Sequence, residues 1–273
     1  MRLLCLHGHG TNSQILEAQL EPLRSRLPGH WEFEFLDGEM DAPPPAGISE
    51  IFPGPYLCYH GEPIPEDVQA AYEMVLSVVQ EEGPFDGVIG FSQGAAVAST
   101  MIAAEAERNP ESEPFKFAIF FSATMPFDLS AGQLHLTLIG DDLTAVHQDS
   151  DGEDLKDNDI DWLKDCRSVG VIEEFESRRP RIAGASQEPQ SIDVLLRFHP
   201  STHGQRIHIP TVHIIGLNDS MANQGRDLAG ICDPKLAQIV THDGGHQLPR
   251  DAGTVGKVAE AIQWAVERTI FCN

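Results

Sequence analysis

Three polar residues far apart in the chain are of the types that acyl chemistry on a serine requires. Ser92 stands in Gly90-Phe91-Ser92-Gln93-Gly94, Asp219 ends the run VHIIGLND, and His246 lies in HDGGHQLP. A serine hydroxyl becomes a nucleophile when an imidazole removes its proton, and a carboxylate on the other ring nitrogen fixes that imidazole's tautomer. The string G-x-S-x-G is weak by itself, because a glycine-rich turn with a capping serine reads the same way. Its setting adds weight: VIGF before it has the character of a buried strand, and QGAAVAS after it opens a helix. Small flanking residues allow a tight turn that lifts the hydroxyl off a sheet, while the helix start turns N–H groups toward developing negative charge. Asp219 is the expected acid. Asp141 and Asp142, ending the apolar run LTLIGDD, compete with it, and Asp243 lies only three residues before His246.

Positioning these groups falls to short apolar runs that alternate with amphipathic ones. RLLCLH (2–7), WEFEFLDG (31–38), FDGVIGF (85–91), FKFAIFFS (115–122), PTVHIIG (210–216) and LAQIVTH (236–242) read as strands. Helical spacing runs through 13–27 (Ile15, Leu16, Leu20, Leu23, Leu27), 65–82 (Val68, Ala71, Tyr72, Val75, Leu76, Val79), 93–108 and 252–270. Strands alternating with helices predict an α/β fold with a mostly parallel central sheet and helices on both faces. Reactive groups collect at the C-terminal tips of such strands. The order Ser92, Asp219, His246 is the chain order of an α/β-hydrolase triad. In that fold one oxyanion donor is the N–H after the nucleophile, here Gln93, and the other comes from a glycine-rich loop after an early strand, here His9 in His7-Gly8-His9-Gly10. The two imidazoles of that loop read as hydrogen-bonding organisers rather than bases.

Composition sets the class. The chain has 273 residues, 41% of them hydrophobic, enough for one large domain with a sizeable core. A net charge of −24 rules out holding a nucleic-acid backbone or an anionic membrane by bulk electrostatics. Five scattered cysteines (Cys5, Cys58, Cys166, Cys232, Cys272) without a C-x-x-C pair read as reduced thiols, and the short apolar start is no secretory signal. These features predict a cytoplasmic protein. One domain over 1–273 is expected, with 125–208 as a lid or insertion between the strands near 115–122 and 210–216. Within it, the segment 141–161 carries nine acidic residues against one lysine and reads as a solvated stretch. The Pro- and Gly-rich stretch 38–65 has no room for a long helix or a central strand.

Other clusters carry less. His199, His203 and His208 are close in sequence, but Pro200 breaks the continuous helix that would present two imidazoles to a metal. Asp149-Ser-Asp151-Gly-Glu153-Asp154 lacks the sixth-position glycine of a calcium loop. No metal or other cofactor is expected. Arg178, Arg179 and Arg181 form the only basic cluster. It suits either a charged surface turn or a phosphate, such as that of a phosphopantetheine arm.

Taken together, LLCLHGHGTN, FPGPY, VIGFSQGAAVA, IPTVHIIGLND and HDGGHQLP resemble the fungal serine hydrolase (FSH) family of α/β-hydrolases, over most of the chain except 125–208. That family includes thioesterase-like members of polyketide gene clusters. The resemblance implies Ser92 as nucleophile, His246 as base and Asp219 as acid. It further implies hydrolysis of an acyl thioester or ester through an acyl-enzyme, without a cofactor. The substrate would be a small acyl compound, or a polyketide chain on an acyl carrier protein; the alternatives are a carboxylesterase on small acyl or acetyl esters and, more remotely, a non-catalytic binding module that keeps the fold. Phe52, Pro53, Tyr56 and Leu57 are candidates for one wall of the acyl pocket, and Met125, Pro126 and Phe127 for the other; ordinary packing would use the same residues. The interval 125–208 looks longer than is usual in the family.

Overall fold

Alternate residues of the central strands face opposite ways, and both faces are apolar, so the sheet must be covered on both sides. Leu4 and Leu6 of β1 (Arg2–Leu6), Val88 of β5 (Gly87–Phe91) and Phe120 of β6 (Phe117–Phe121) pack into one core. Helices α3 (Pro65–Glu82) and α4 (Gln93–Arg108) close that core from outside, with Ala71, Tyr72, Val75, Ala98 and Met101. Leu3, Cys5, Ile89, Phe117 and Ile119 face the other way, onto Leu16 and Leu20 of α1 (Ser13–Arg24) and onto the helix Ala252–Phe271. The computed structural model describes residues 1–109, 113–129, 134–138, 172–176 and 190–271.

The main sheet has six strands, all parallel, in the order β12-β11-β6-β5-β1-β2, with β2 at Glu32–Leu36, β11 at Thr211–Gly216 and β12 at Ala237–His242. Strands β5, β6 and β11 are buried along their whole length. This is the α/β-hydrolase architecture, and it brings the C-terminal ends of β1, β5, β11 and β12 to one edge. The stretch 38–65 holds a two-residue strand pair, β3 (Met40–Asp41) with β4 (Leu57–Cys58), and a single helical turn, α2 (Ile48–Ile51).

Between β6 and β11 the chain builds a second sheet that the sequence pattern did not announce. Strand β10 (Gln190–Arg197) pairs antiparallel with β9 (Ile172–Glu176) on one edge. Its other edge takes β8 (Leu134–Leu138) and then β7 (Phe127–Asp128). The acidic segment 141–161, with Asp141 and Asp142, and the basic residues Arg178, Arg179 and Arg181 lie outside the described residues. A single-turn helix, α5 (Pro200–His203), comes after β10, and α6 (Ala222–Gly230) links β11 to β12; the C-terminal Ala252–Phe271 is α7. Among the described residues no helix is long and apolar enough to cross a membrane.

Two of the buried histidines, His213 and His60, resist protonation strongly. Burial holds the His213 imidazole, in the middle of β11, down to about 3, and that of His60, after β4, down to about 4. An unfolded chain takes up these protons near pH 6.5, where the folded chain refuses them. Their contribution to stability is therefore complete above about pH 6.5 and is lost as pH falls toward 4. Thermal melts should show a Tm that declines across that window, and His213→Leu should make the decline shallower. An unchanged slope in that variant would contradict the assignment.

Candidate active site

The turn from β5 into α4 places Ser92 at φ 53°, ψ −114°, a conformation that a residue bearing a Cβ adopts only under strain. Two glycines make the turn possible. A Cβ on Gly90 would stand 2.5 Å from the Ala95 Cα, and one on Gly94 would stand 2.3 Å from the Leu6 carbonyl oxygen. Helix α4 therefore starts directly against the strand ends, and the Ser92 N–H donates to the Phe121 carbonyl of β6 at 2.9 Å. The hydroxyl is left at the surface of the sheet edge. The N–H groups at the start of a helix have no intrahelical acceptor, and that of Gln93 stands next to this hydroxyl in the chain.

His246 reaches Ser92 from the loop after β12. Its Nε2 lies 2.8 Å from Ser92 Oγ, and its Nδ1 lies 2.9 Å from Asp219 Oδ2. The second Asp219 oxygen, Oδ1, accepts the Met221 N–H at 2.8 Å. The carboxylate side chain is 1% exposed and the imidazole 33% exposed, so the carboxylate is sealed while the ring faces the surface. A carboxylate can only accept, so Nδ1 carries the proton and Nε2 offers its lone pair to the serine O–H. The Phe91 ring flanks the imidazole, centroid to centroid 5.5 Å. Asp243 does not occupy this place; its carbonyl accepts from Asn218 Nδ2 at 2.6 Å.

The loops after β11 and β12 are joined to each other. Leu217 N–H donates to the His242 carbonyl at 2.7 Å, and Asn218 N–H to the Gly244 carbonyl at 3.0 Å. Gly216 permits this contact, since a Cβ there would meet the Gly245 carbonyl oxygen at 2.3 Å.

The remaining expected residues divide. His9 is exposed on the loop after β1, while His7 is buried beneath it. Leu57 of the 38–65 stretch is paired to that loop through its carbonyl, which accepts the Gly10 N–H at 2.9 Å. Phe52 and Tyr56 are half-buried, tied by the Tyr56 hydroxyl donating to the Phe52 carbonyl at 2.8 Å, and Pro53 is exposed. Met125, Pro126 and Phe127 are buried instead. Met125 belongs to the core under α4, and Phe127 packs on Val68 and Leu195 with the Arg197 guanidinium 3.9 Å above its ring. His199 and His203 turn toward carboxylates, with His203 Nε2 3.4 Å from Asp128 and His199 Nε2 3.8 Å from Asp227. Sequence reasoning missed the Gln93 side chain. Its amide accepts from the Tyr59 N–H at 2.9 Å and donates to the His60 carbonyl at 2.7 Å.

Comparison with known proteins agrees with this architecture. Residues 1–258 match the family model described as Serine hydrolase (FSH1). The chain belongs to that family. It is 33% identical to Esterase alnB of Emericella nidulans, covering 98% of this chain and 97% of that protein. It is likewise 33% identical to Hydrolase FUB4 of Fusarium oxysporum, over 96% of this chain and 97% of that one. Among solved structures it resembles Arabidopsis thaliana SOBER1, at TM-score 0.51 and 13% identity over 97% of this chain and 99% of that one. The Bacillus cereus carboxylesterase is similar at TM-score 0.50 and 14% identity, over 96% and 87%. At such identities these structures speak for the fold alone. Family membership makes the protein a serine hydrolase.

Gly216→Ala should push the Gly244–Gly245 backbone away and carry His246 off Ser92, lowering kcat by about 10²-fold, as misplacement of about 1 Å does. Steady-state kinetics beside a thermal melt would show it; an unchanged kcat would contradict the role given to the joined loops.

Proposed function

We propose that this serine hydrolase cleaves an acyl ester or thioester through a covalent intermediate on Ser92. The observation that carries the reading is the continuous chain from Ser92 Oγ to His246 Nε2 at 2.8 Å and from His246 Nδ1 to Asp219 Oδ2 at 2.9 Å. His246 accepts the serine proton as Oγ attacks the carbonyl carbon, and Asp219 stabilises the imidazolium that forms. The N–H groups of Gln93 and His9 hold the oxyanion. Collapse expels the thiol or alcohol, which takes the proton from His246. A water molecule, deprotonated by the same imidazole, then releases the acid and restores Ser92. No other group is required for these steps.

The substrate class we infer is an acyl chain carried as a thioester, with a polyketide chain on a carrier protein as its natural form. The family resemblance supports this reading, and a reducing cytoplasm suits it, since Cys5, Cys58 and Cys232 are free and buried. Half-buried Phe52, Tyr56 and Leu57 supply apolar surface for the acyl chain beside the loop after β1. Hydrolysis of small oxygen esters is the second reading, favoured by the relative named an esterase.

Asp219→Asn should leave the melting temperature close to that of the unaltered protein and lower kcat by about 10⁴-fold, because the amide holds the wrong tautomer. Ser92→Ala should abolish turnover of every ester tested. Paired thioesters and oxygen esters of one acyl chain decide between the substrate readings by their kcat/KM ratio. Full activity in Asp219→Asn would overturn the mechanism.

A further inference from the structure

The two N–H groups assigned to the oxyanion stand on separate elements, Gln93 at the start of α4 and His9 on the loop after β1. Nothing in the covalent chain fixes their separation, and an oxyanion hole works only if both donors meet one oxygen. The geometry points to a buried array of four side chains, His7, Thr11, Tyr59 and Gln93, as the device that aims and spaces them. This assignment rests on the hydrolase reading above. All four residues are buried, and none is a member of the Ser92, His246, Asp219 chain.

The first half of the array acts on the peptide between Gly8 and His9. Its carbonyl, the Gly8 oxygen, accepts from three donors: Thr11 Oγ1 at 2.7 Å, His7 Nδ1 at 2.8 Å and Thr11 N at 3.3 Å. A carbonyl can only accept, so the His7 proton is on Nδ1. His7 Nε2 then accepts the Gly38 N–H at 2.9 Å, which completes the ring's hydrogen bonding in its neutral form. Burial lowers the affinity of this ring for a second proton, in keeping with that neutral state. In a planar trans peptide, C=O and N–H point in opposite directions. Holding the Gly8 oxygen from one side therefore aims the His9 N–H to the other. The three bonds orient a donor that none of them touches.

The second half sets the distance between the loops. The Tyr59 hydroxyl accepts the His7 N–H at 3.0 Å and donates to the Leu36 carbonyl at 2.8 Å, while its ring lies against the His7 imidazole with centroids 4.8 Å apart. The same residue's N–H donates to Gln93 Oε1 at 2.9 Å. Tyr59 thus touches the loop after β1 with its side chain and the nucleophile turn with its backbone. A paired stretch runs alongside, in which the Leu57 N–H donates to the Thr11 carbonyl at 2.7 Å. On this reading His7, Thr11, Tyr59 and the Gln93 amide are positioning residues, and the stretch 38–65 is a spacer as well as a candidate pocket wall.

The test uses Thr11→Val, Tyr59→Phe and Thr11→Ser in the full chain. Each is measured for kcat and KM on a p-nitrophenyl ester, for Ki of a trifluoromethyl ketone with the same acyl group, and for Tm. Loss of one oxyanion donor typically costs about 10²–10³ in rate, so misaiming one should cost about 10–100-fold in kcat with KM within about twofold. The ketone, which forms a tetrahedral oxyanion on the serine, should weaken by the same factor as kcat/KM. Thr11→Ser keeps the hydroxyl and should stay close to the unaltered enzyme. Unchanged kcat and Ki in both Thr11→Val and Tyr59→Phe would overturn the assignment, as would Thr11→Ser falling as far as Thr11→Val. Ser92→Ala run beside them separates the two claims. Turnover surviving there sinks the hydrolase reading, whereas Ser92-dependent turnover indifferent to Thr11 and Tyr59 sinks only the positioning array.

Discussion

At φ 53° the Ser92 backbone is strained by an amount of order 1–3 kcal/mol, and the strain persists because helix α4 is pressed against the strand ends. Gly94 lies so near the Leu6 carbonyl that no side chain fits between them, and Gly90 is as close to Ala95. Any relaxation of the turn would have to lift α4, whose face is buried from Gln93 through Ala104, out of its core. The large apolar contact thus holds a small unfavourable conformation in place. The consequence of the strain is geometric: the hydroxyl stands free of the sheet, beside the first N–H of the helix.

The rest of the site is arranged around that fixed point by hydrogen bonds between loops rather than by regular structure. The loops after β11 and β12 are joined through Leu217, Asn218 and their carbonyl acceptors, so Asp219 and His246 are carried on one connected pair of loops. The loop after β1 is joined to the stretch 38–65, which is joined in turn to Gln93. The bonds that tie Tyr59 to His7 and to Gln93 are buried, where losing one partner costs more than in water. A sheet edge gives each loop its starting point, and the polar network gives it direction.

Much of this was legible in the sequence, for definite reasons. Helices α3 and α4 fall on the expected 65–82 and 93–108 because their apolar spacing is regular and their ends are marked, by Pro65 at one start and by the glycine-flanked serine at the other. The helix expected over 13–27 closes at Arg24, yet Leu27 still reaches the same core from the turn beyond it. The antiparallel sheet of β7 to β10 was not legible. Strand β7 has only two residues, β7 and β8 reach β10 from far back in the chain, and IEEFE in β9 is mostly charge, so no local pattern announces it. The role of the Gln93 side chain was hidden for another cause. Its amide's partners, Tyr59 and His60, are more than thirty positions away, and no spacing rule connects them.

The mechanism stands on one atom, the Ser92 Oγ. Reaction of the native enzyme with a fluorophosphonate, followed by peptide mass mapping, tests it most directly. The mechanism predicts a single adduct on the peptide bearing Ser92, formed in proportion to the loss of activity and absent in Ser92→Ala. An adduct on another residue, or inactivation that proceeds undiminished with Ser92 unmodified, would contradict it.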